Sequence, residues 1–305
     1  MFRWFAVVAL SMLPALAAAQ PPTAQPPTAQ PPTAQPPTAQ PPTAQPATAA
    51  TIRFNWQVNQ THTYKLSQQT VVRETVLDDK TEKPITTTAQ TNLTLVRKWT
   101  VKAVDAAGVA TLELTITQMR NEFRRPDGSS LILDSANPEH AKEMAAYLNV
   151  PVVTIRVDSL GRLVEVKEAK AGSAARLTAE LPFRLVLPES GPTAGQTWDR
   201  PFTLKLDPPL GTGETHEFAQ KYTCTAIRDG LLILGVETSL KAPPKALAER
   251  VPLVPMLWTG EVFFNVAAGK YHAARLRVKA ELPNFQGEGT RFEYESVYNE
   301  DAVEK

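Results

Sequence analysis

Arg275-Leu276-Arg277-Val278-Lys279-Ala280-Glu281-Leu282 alternates charged and apolar side chains without a break. A period of two puts every second residue on the same side of an extended chain, so this stretch is a β-strand with one wet and one packed face. The same grammar recurs outward in both directions. Arg291-Phe-Glu-Tyr-Glu295 repeats it, as do Leu112, Leu114 and Ile116 against Glu113, Thr115 and Thr117, and Val153, Ile155 and Val157 against Thr154, Arg156 and Asp158. Leu231–Leu234 is apolar throughout and suits a sheet centre. Turn residues separate the runs at Asp105–Gly108, Asp127-Gly128, Asp158–Gly161, Asp229-Gly230 and Ala267–Gly269. Short, sequential hairpins of this kind favour a meander over a Greek key. The expected fold is mainly β: a curved antiparallel meander of about a dozen strands, as a half-barrel or a sandwich, with one or two short helices packed on it.

Helix signals are few. Asn137 is a suitable N-cap, Pro138 suits the first helical position, and Ala141, Met144, Ala145 and Leu148 recur at helical spacing, so a helix is expected over Asn137–Asn149. A shorter one is expected from Ser173 to Leu181.

The halves 51–190 and 191–305 echo each other. Lys98-Trp99-Thr100 leads to a glycine turn at 108, and Lys221-Tyr222-Thr223 leads to one at 230. Val157–Gly161–Val166 has a looser counterpart in Val266–Gly269–Val278. Both duplication and the repeated grammar of any β-meander account for this.

Ahead of the β-rich region 51–305 stands a leader of another kind. Arg3, the apolar stretch Trp4–Leu16 and the triplet Ala17-Ala18-Ala19 have the layout of a secretory signal over residues 1–19. Gln-Pro-Pro-Thr-Ala follows five times from Gln20 to Ala44, with a decayed copy to Ala49. Two prolines in five fix φ and remove backbone donors, and nothing in residues 20–50 can build a core, so a solvated, disordered Pro-rich tail is expected. The protein is thus expected to be secreted or periplasmic. No later apolar run approaches the ~20 residues that span a bilayer, so no transmembrane span is expected beyond the signal.

Charge excludes one partner class. The chain has 32 Lys+Arg and 31 Asp+Glu, and loss of Arg3 with the signal leaves the two equal. A neutral domain without a basic block has little attraction for phosphate, so no nucleic-acid partner is expected. The terminal stretch Asn299–Lys305 reads as a charged end, which argues against a barrel closed by its last strand.

A search for chemistry yields little. His62, His140, His216 and His272 form no zinc spacing, and no nucleophile elbow or phosphate loop occurs. His140 and Glu143 are three apart on the expected helix, as solvated pairs often are. Cys224 is the one cysteine; it suits a buried strand residue or a reactive thiol. No catalytic residue, metal site or cofactor is expected. Val251-Pro-Leu-Val-Pro-Met-Leu-Trp258 is apolar, but Pro252 and Pro255 bar it from a central strand. Val251, Leu253, Val254, Met256, Leu257 and Trp258 therefore either rim an apolar groove or plug the core beneath a proline-broken connection.

Four stretches carry a resemblance: Val58–Leu66, the hairpin Trp99–Ile116, the helix feeding Val153–Val166, and the strands of Gly260–Tyr298. Together they resemble a family of uncharacterised secreted bacterial β-rich proteins. That resemblance implies no catalytic residues. The strand-with-helix layout also resembles, by architecture, the half-barrel lipoprotein carriers of bacterial envelopes, which cradle acyl chains. Binding rather than catalysis is therefore expected, with an apolar or lipid ligand or an envelope protein held on a concave sheet. The alternative is a secreted hydrolase whose site is dispersed along the sequence.

Overall fold

The computed structural model describes residues 52–170, 174–208 and 210–303. The signal and the repeat tail lie outside them, as does Ser173. The strands are β1 (Thr61–Leu77), β2 (Pro84–Val104), β3 (Ala110–Arg124), β4 (Ser130–Asp134), β5 (Pro151–Val157) and β6 (Leu163–Ala169) in the first half. The second half contributes β7 (Thr197–Lys205), β8 (Thr215–Arg228), β9 (Leu231–Leu240), β10 (Thr259–Asn265), β11 (Lys270–Pro283) and β12 (Arg291–Ala302). Helices are α1 (Pro138–Glu143), α2 (Ala174–Glu180) and α3 (Leu247–Arg250), the last running into a 3-10 turn over Val251–Met256.

All twelve strands join one curved, unclosed antiparallel sheet in the order β6-β5-β3-β2-β1-β12-β11-β10-β9-β8-β7, with β4 beside the far end of β3. It is a single curved sheet, so the sandwich alternative falls away. The alternation that predicts strands also sets their faces. On β11 Leu276 and Val278 are buried while Arg275, Arg277 and Lys279 are exposed. Phe292, Tyr294, Ser296, Tyr298 and Glu300 form the inward row of β12.

The meander is not simple. Each half pairs its strands in the same scheme (β1-β2-β3-β5-β6 and β7-β8-β9-β10-β11), with a helix before the fourth strand of each scheme. Trp99 and Tyr222, the aromatic residues of the two echoing tripeptides, are both fully buried. β12 then lies between β1 and β11 and joins the halves. The start of the terminal stretch is thus not solvated: Asn299–Ala302 belong to a central strand, and Glu300 faces the core.

The expected helix over Asn137–Asn149 is shorter than its pattern. Asn137 does cap it, accepting from the Glu139 N–H, but the helix ends at Glu143. β3 is the reason. Its ladder with β5 shifts between Leu114 and Thr115, which frees the Ile116 carbonyl to accept from Asn149 N at 2.8 Å. Leu148 bridges Ile116, and Asn149 turns with φ +58°. Of the proposed apolar stripe only Met144 is buried. The second helix forms over Ala174–Glu180.

Candidate functional site

The strand order dictates what fills the inner face. β6 and β7 are consecutive in the chain but lie at opposite edges of the sheet, so the connection between them, described over residues 174–196, must cross its width. These residues do so over the buried face of the sheet. α2 comes first, then an irregular strap, Leu181-Pro-Phe-Arg-Leu-Val-Leu-Pro188, in which Leu181, Phe183, Leu185 and Leu187 are buried. Leu181 and Arg184 adopt left-handed backbone conformations, φ +56° and +58°. Non-glycine residues held there cost about 1–3 kcal/mol each, so the surroundings must enforce them.

They enforce them in two ways. Phe183 is the hub of a ring cluster: Phe54, Trp56, Tyr64, Trp99 and Tyr271 stand with centroids 5.5–6.2 Å from its own. These residues come from the N-terminal segment and from β1, β2 and β11, so both halves of the sheet grip one side chain. The strap's carbonyls, which have no ladder of their own, take side-chain donors instead. Arg97 donates to Pro182 O at 3.0 Å, Trp198 Nε1 to Val186 O at 2.8 Å, and Arg53 to Pro188 O at 3.1 Å. Arg200 donates to the Thr178 and Ala179 carbonyls at the end of α2, where a cation also complements the helix dipole.

Beneath the strap lies a buried ionic centre. Arg97 meets Glu300 bidentately, Nε to Oε1 at 2.6 Å and Nη2 to Oε2 at 2.8 Å. The Tyr271 and Tyr298 hydroxyls both donate to Glu300 Oε2, at 2.8 and 2.9 Å. Burial and the Glu300 charge push both hydroxyls above the usual phenol range, so they remain donors. A second cluster joins Glu180 to Arg176 and Arg184, with the Arg184 guanidinium 4.8 Å from the Tyr298 ring centroid. Burial pushes the Glu180 carboxyl up, but the two arginines outweigh it and hold the carboxyl at about 2. Glu180 is thereby kept ionised, and both carboxylates are paired and enclosed. They suit holding the strap rather than moving protons.

The six apolar candidates sit at the second cover of the trough. Leu253, Val254, Met256 and Trp258 are buried, and Val251 and Leu257 are half-buried and packed on the same cores. Leu253 and Met256 join Leu204, Leu206 and Phe218 of the β7–β8 lobe, while Trp258 packs 5.9 Å from Tyr298. The 3-10 turn thus lays its side chains into the sheet and brings them to the same row of β12 that carries Glu300. Cys224 is buried on β8, and burial pushes its thiol up. His140 Nδ1 accepts from Asp134 N at 3.2 Å, which ties α1 to β4.

Sequence reasoning missed the strap and Glu300. The strap did carry a signal, an apolar run between two prolines like Val251–Trp258. Glu300 carried none, because a glutamate in Asn-Glu-Asp looks solvated until Arg97, 203 residues away, is seen to face it.

No family model matches the sequence, and no curated protein matches it significantly. The family of secreted bacterial proteins therefore has no support beyond the resemblance itself. Among solved structures the chain is similar to lipovitellin, in a structure concerned with lipid–protein interactions, at 13% identity and a TM-score of 0.37. The match covers 82% of this chain but only 26% of that one, so the chain spans about a quarter of lipovitellin. It is also similar to DynF, from the dynemicin biosynthesis pathway of Micromonospora chersina, at 7% identity and a TM-score of 0.21, with 85% of this chain and 88% of that one covered. Likenesses of this size carry no information on what the protein binds.

Proposed function

We propose that this is an exported, non-catalytic binding protein of the bacterial envelope whose working surface is the trough of the sheet, and that it holds an apolar ligand there. One observation supports this reading above others. The inner face is a largely aromatic and aliphatic wall drawn from both halves around the Arg97–Glu300 centre, yet it is covered by short non-sheet pieces, the strap and the 3-10 turn, rather than by a second sheet. Such covers can shift without breaking a ladder, so an acyl chain can enter alongside Met256 and Trp258. The layout of the leader supports export.

The test starts from protein recovered from the envelope, whose intact mass should show loss of Met1–Ala19. Titrating it with a fluorescent fatty acid should give saturable uptake. Trp258→Ala should weaken uptake by more than its loss of stability accounts for. A wild-type protein that takes up no apolar probe would remove the carrier reading and leave a structural or protein-binding role.

A further inference from the structure

We propose that the N-terminal segment Ile52–Gln57 is an acid-released clip, which closes one end of the trough at neutral pH and lifts when His62 takes up a proton. The segment is not a strand, and its anchors lie on three separate parts of the molecule. Phe54 N donates to Ser159 O in the β5–β6 turn at 2.8 Å, and Asn55 N to Gly269 O in the β10–β11 turn at 2.8 Å. Arg53 donates to Pro188 and Glu189 at the end of the strap. Those two turns occupy equivalent places in the two halves, so the clip ties half to half and both to the strap. The turns are shaped for it: a Cβ at Gly161 would meet Phe54 Cε2 at 2.7 Å, and one at Gly269 would meet Asn55 Cβ at 2.7 Å.

His62 lies directly under the clip. The Trp56 ring stands edge-on to it at 6.0 Å, stacks on Phe54 at 4.7 Å, and donates from Nε1 to Asp158 O. His62 Nε2 is buried with no partner, and Trp99, opposite it across the β1–β2 ladder, has an unpartnered Nε1 as well. An imidazolium formed here finds no acceptor for its Nε2 proton. The charged groups of the surrounding elements offer none. Lys270 on β11 repels the new charge, Asp158 is tied to Arg162, Glu300 to Arg97 on β2, and Glu180 to Arg184 of the strap. β2 and β12 are laddered on both sides and His62 itself is paired with β2, whereas Trp56 belongs to no ladder, so Trp56 is the neighbour that can move to admit water.

Burial, with Lys270 adding to it, lowers the His62 pKa from 6.5 to about 4. The sign follows directly. With the clip open the imidazole regains its ordinary affinity for protons, so opening is favoured as pH falls from about 6.5 toward 4. Between pH 7.5 and 4.5 the open fraction should rise about 70-fold.

Hydrogen exchange followed by mass spectrometry on the mature protein tests this, with rates corrected for the intrinsic pH dependence. Amides of Phe54 and Asn55 should accelerate by that factor while those of β12 stay protected. His62→Gln should flatten the response, and His62→Phe gives a second non-titrating variant should the first fold poorly. Lys270→Met should move the midpoint to higher pH. Clip amides that do not accelerate, that accelerate together with β12, or whose midpoint ignores Lys270 would overturn the proposal. None of these readouts involves a ligand, so they fail or succeed independently of the carrier reading.

Discussion

Glu300 shows how much a single residue can hold when its charge is taken out of water. It is fully buried, and its Oε2 accepts from Arg97 and two tyrosines. A buried pair adds little net stability over a well-packed apolar pair, but breaking one leaves a stranded charge. Glu300→Gln should therefore destabilise the fold by about 3–5 kcal/mol, whereas Arg97→Met with Glu300→Leu should cost clearly less. Urea denaturation of the three proteins checks this; equal losses for the single and double variants would show that the pair matters through shape alone. Glu180 adds an acid limit. Its carboxyl is held near 2 against an ordinary 4.5, so its contribution is complete above about pH 4.5 and is lost as pH falls through about 2. Neither glutamate was legible as a core residue in the sequence. Charge reads as solvent exposure until a partner distant in the chain is known, and of Glu300's three partners two, Arg97 and Tyr271, lie on other strands.

At the scale of elements, legibility followed periodicity. Arg275–Leu282 and Arg291–Glu295 are strands whose exposed and buried faces match their alternation, because a sheet in contact with water on one side must sort residues that way. Elements defined by what they rest on were harder. α1 stops at Glu143 because β3 recruits Asn149, and no local pattern announces a bulge in another strand. The strap is the extreme case: Leu181, Phe183, Leu185 and Leu187 alternate as in a strand, yet the segment joins no ladder, and its conformation is dictated by Arg53, Arg97, Trp198 and the rings around Phe183. Removing the hub should be costly. Phe183→Ala should destabilise by about 3–5 kcal/mol, the usual range for a buried large aromatic. The measurement is thermal or chemical unfolding against wild type. A loss below about 1 kcal/mol would mean that the strap is only loosely seated, which would make ligand entry beneath it easier than the ring contacts suggest.

The whole molecule is two meanders made inseparable by three joints. β12 belongs by sequence to the second half but pairs over twelve residues with β1 of the first. The strap carries the chain from one sheet edge to the other, and its rings and carbonyls are held by residues of both halves. The clip pins the β5–β6 turn to the β10–β11 turn. The main buried apolar cluster accordingly runs from Val153 on β5 to Tyr222 on β8 without a break between halves. If each half had its own core, the strap would be a mere linker and unfolding would proceed in two steps. With the main core shared between the halves and the ionic centre at the seam, the described domain should unfold in a single cooperative transition despite its size. Calorimetry of residues 52–303 should give a van't Hoff enthalpy equal to the calorimetric one, and Glu300→Gln should lower the midpoint of that one transition rather than split it. Two resolved transitions, with only one of them moved by the substitution, would show instead that the halves fold apart and merely dock along β1 and β12.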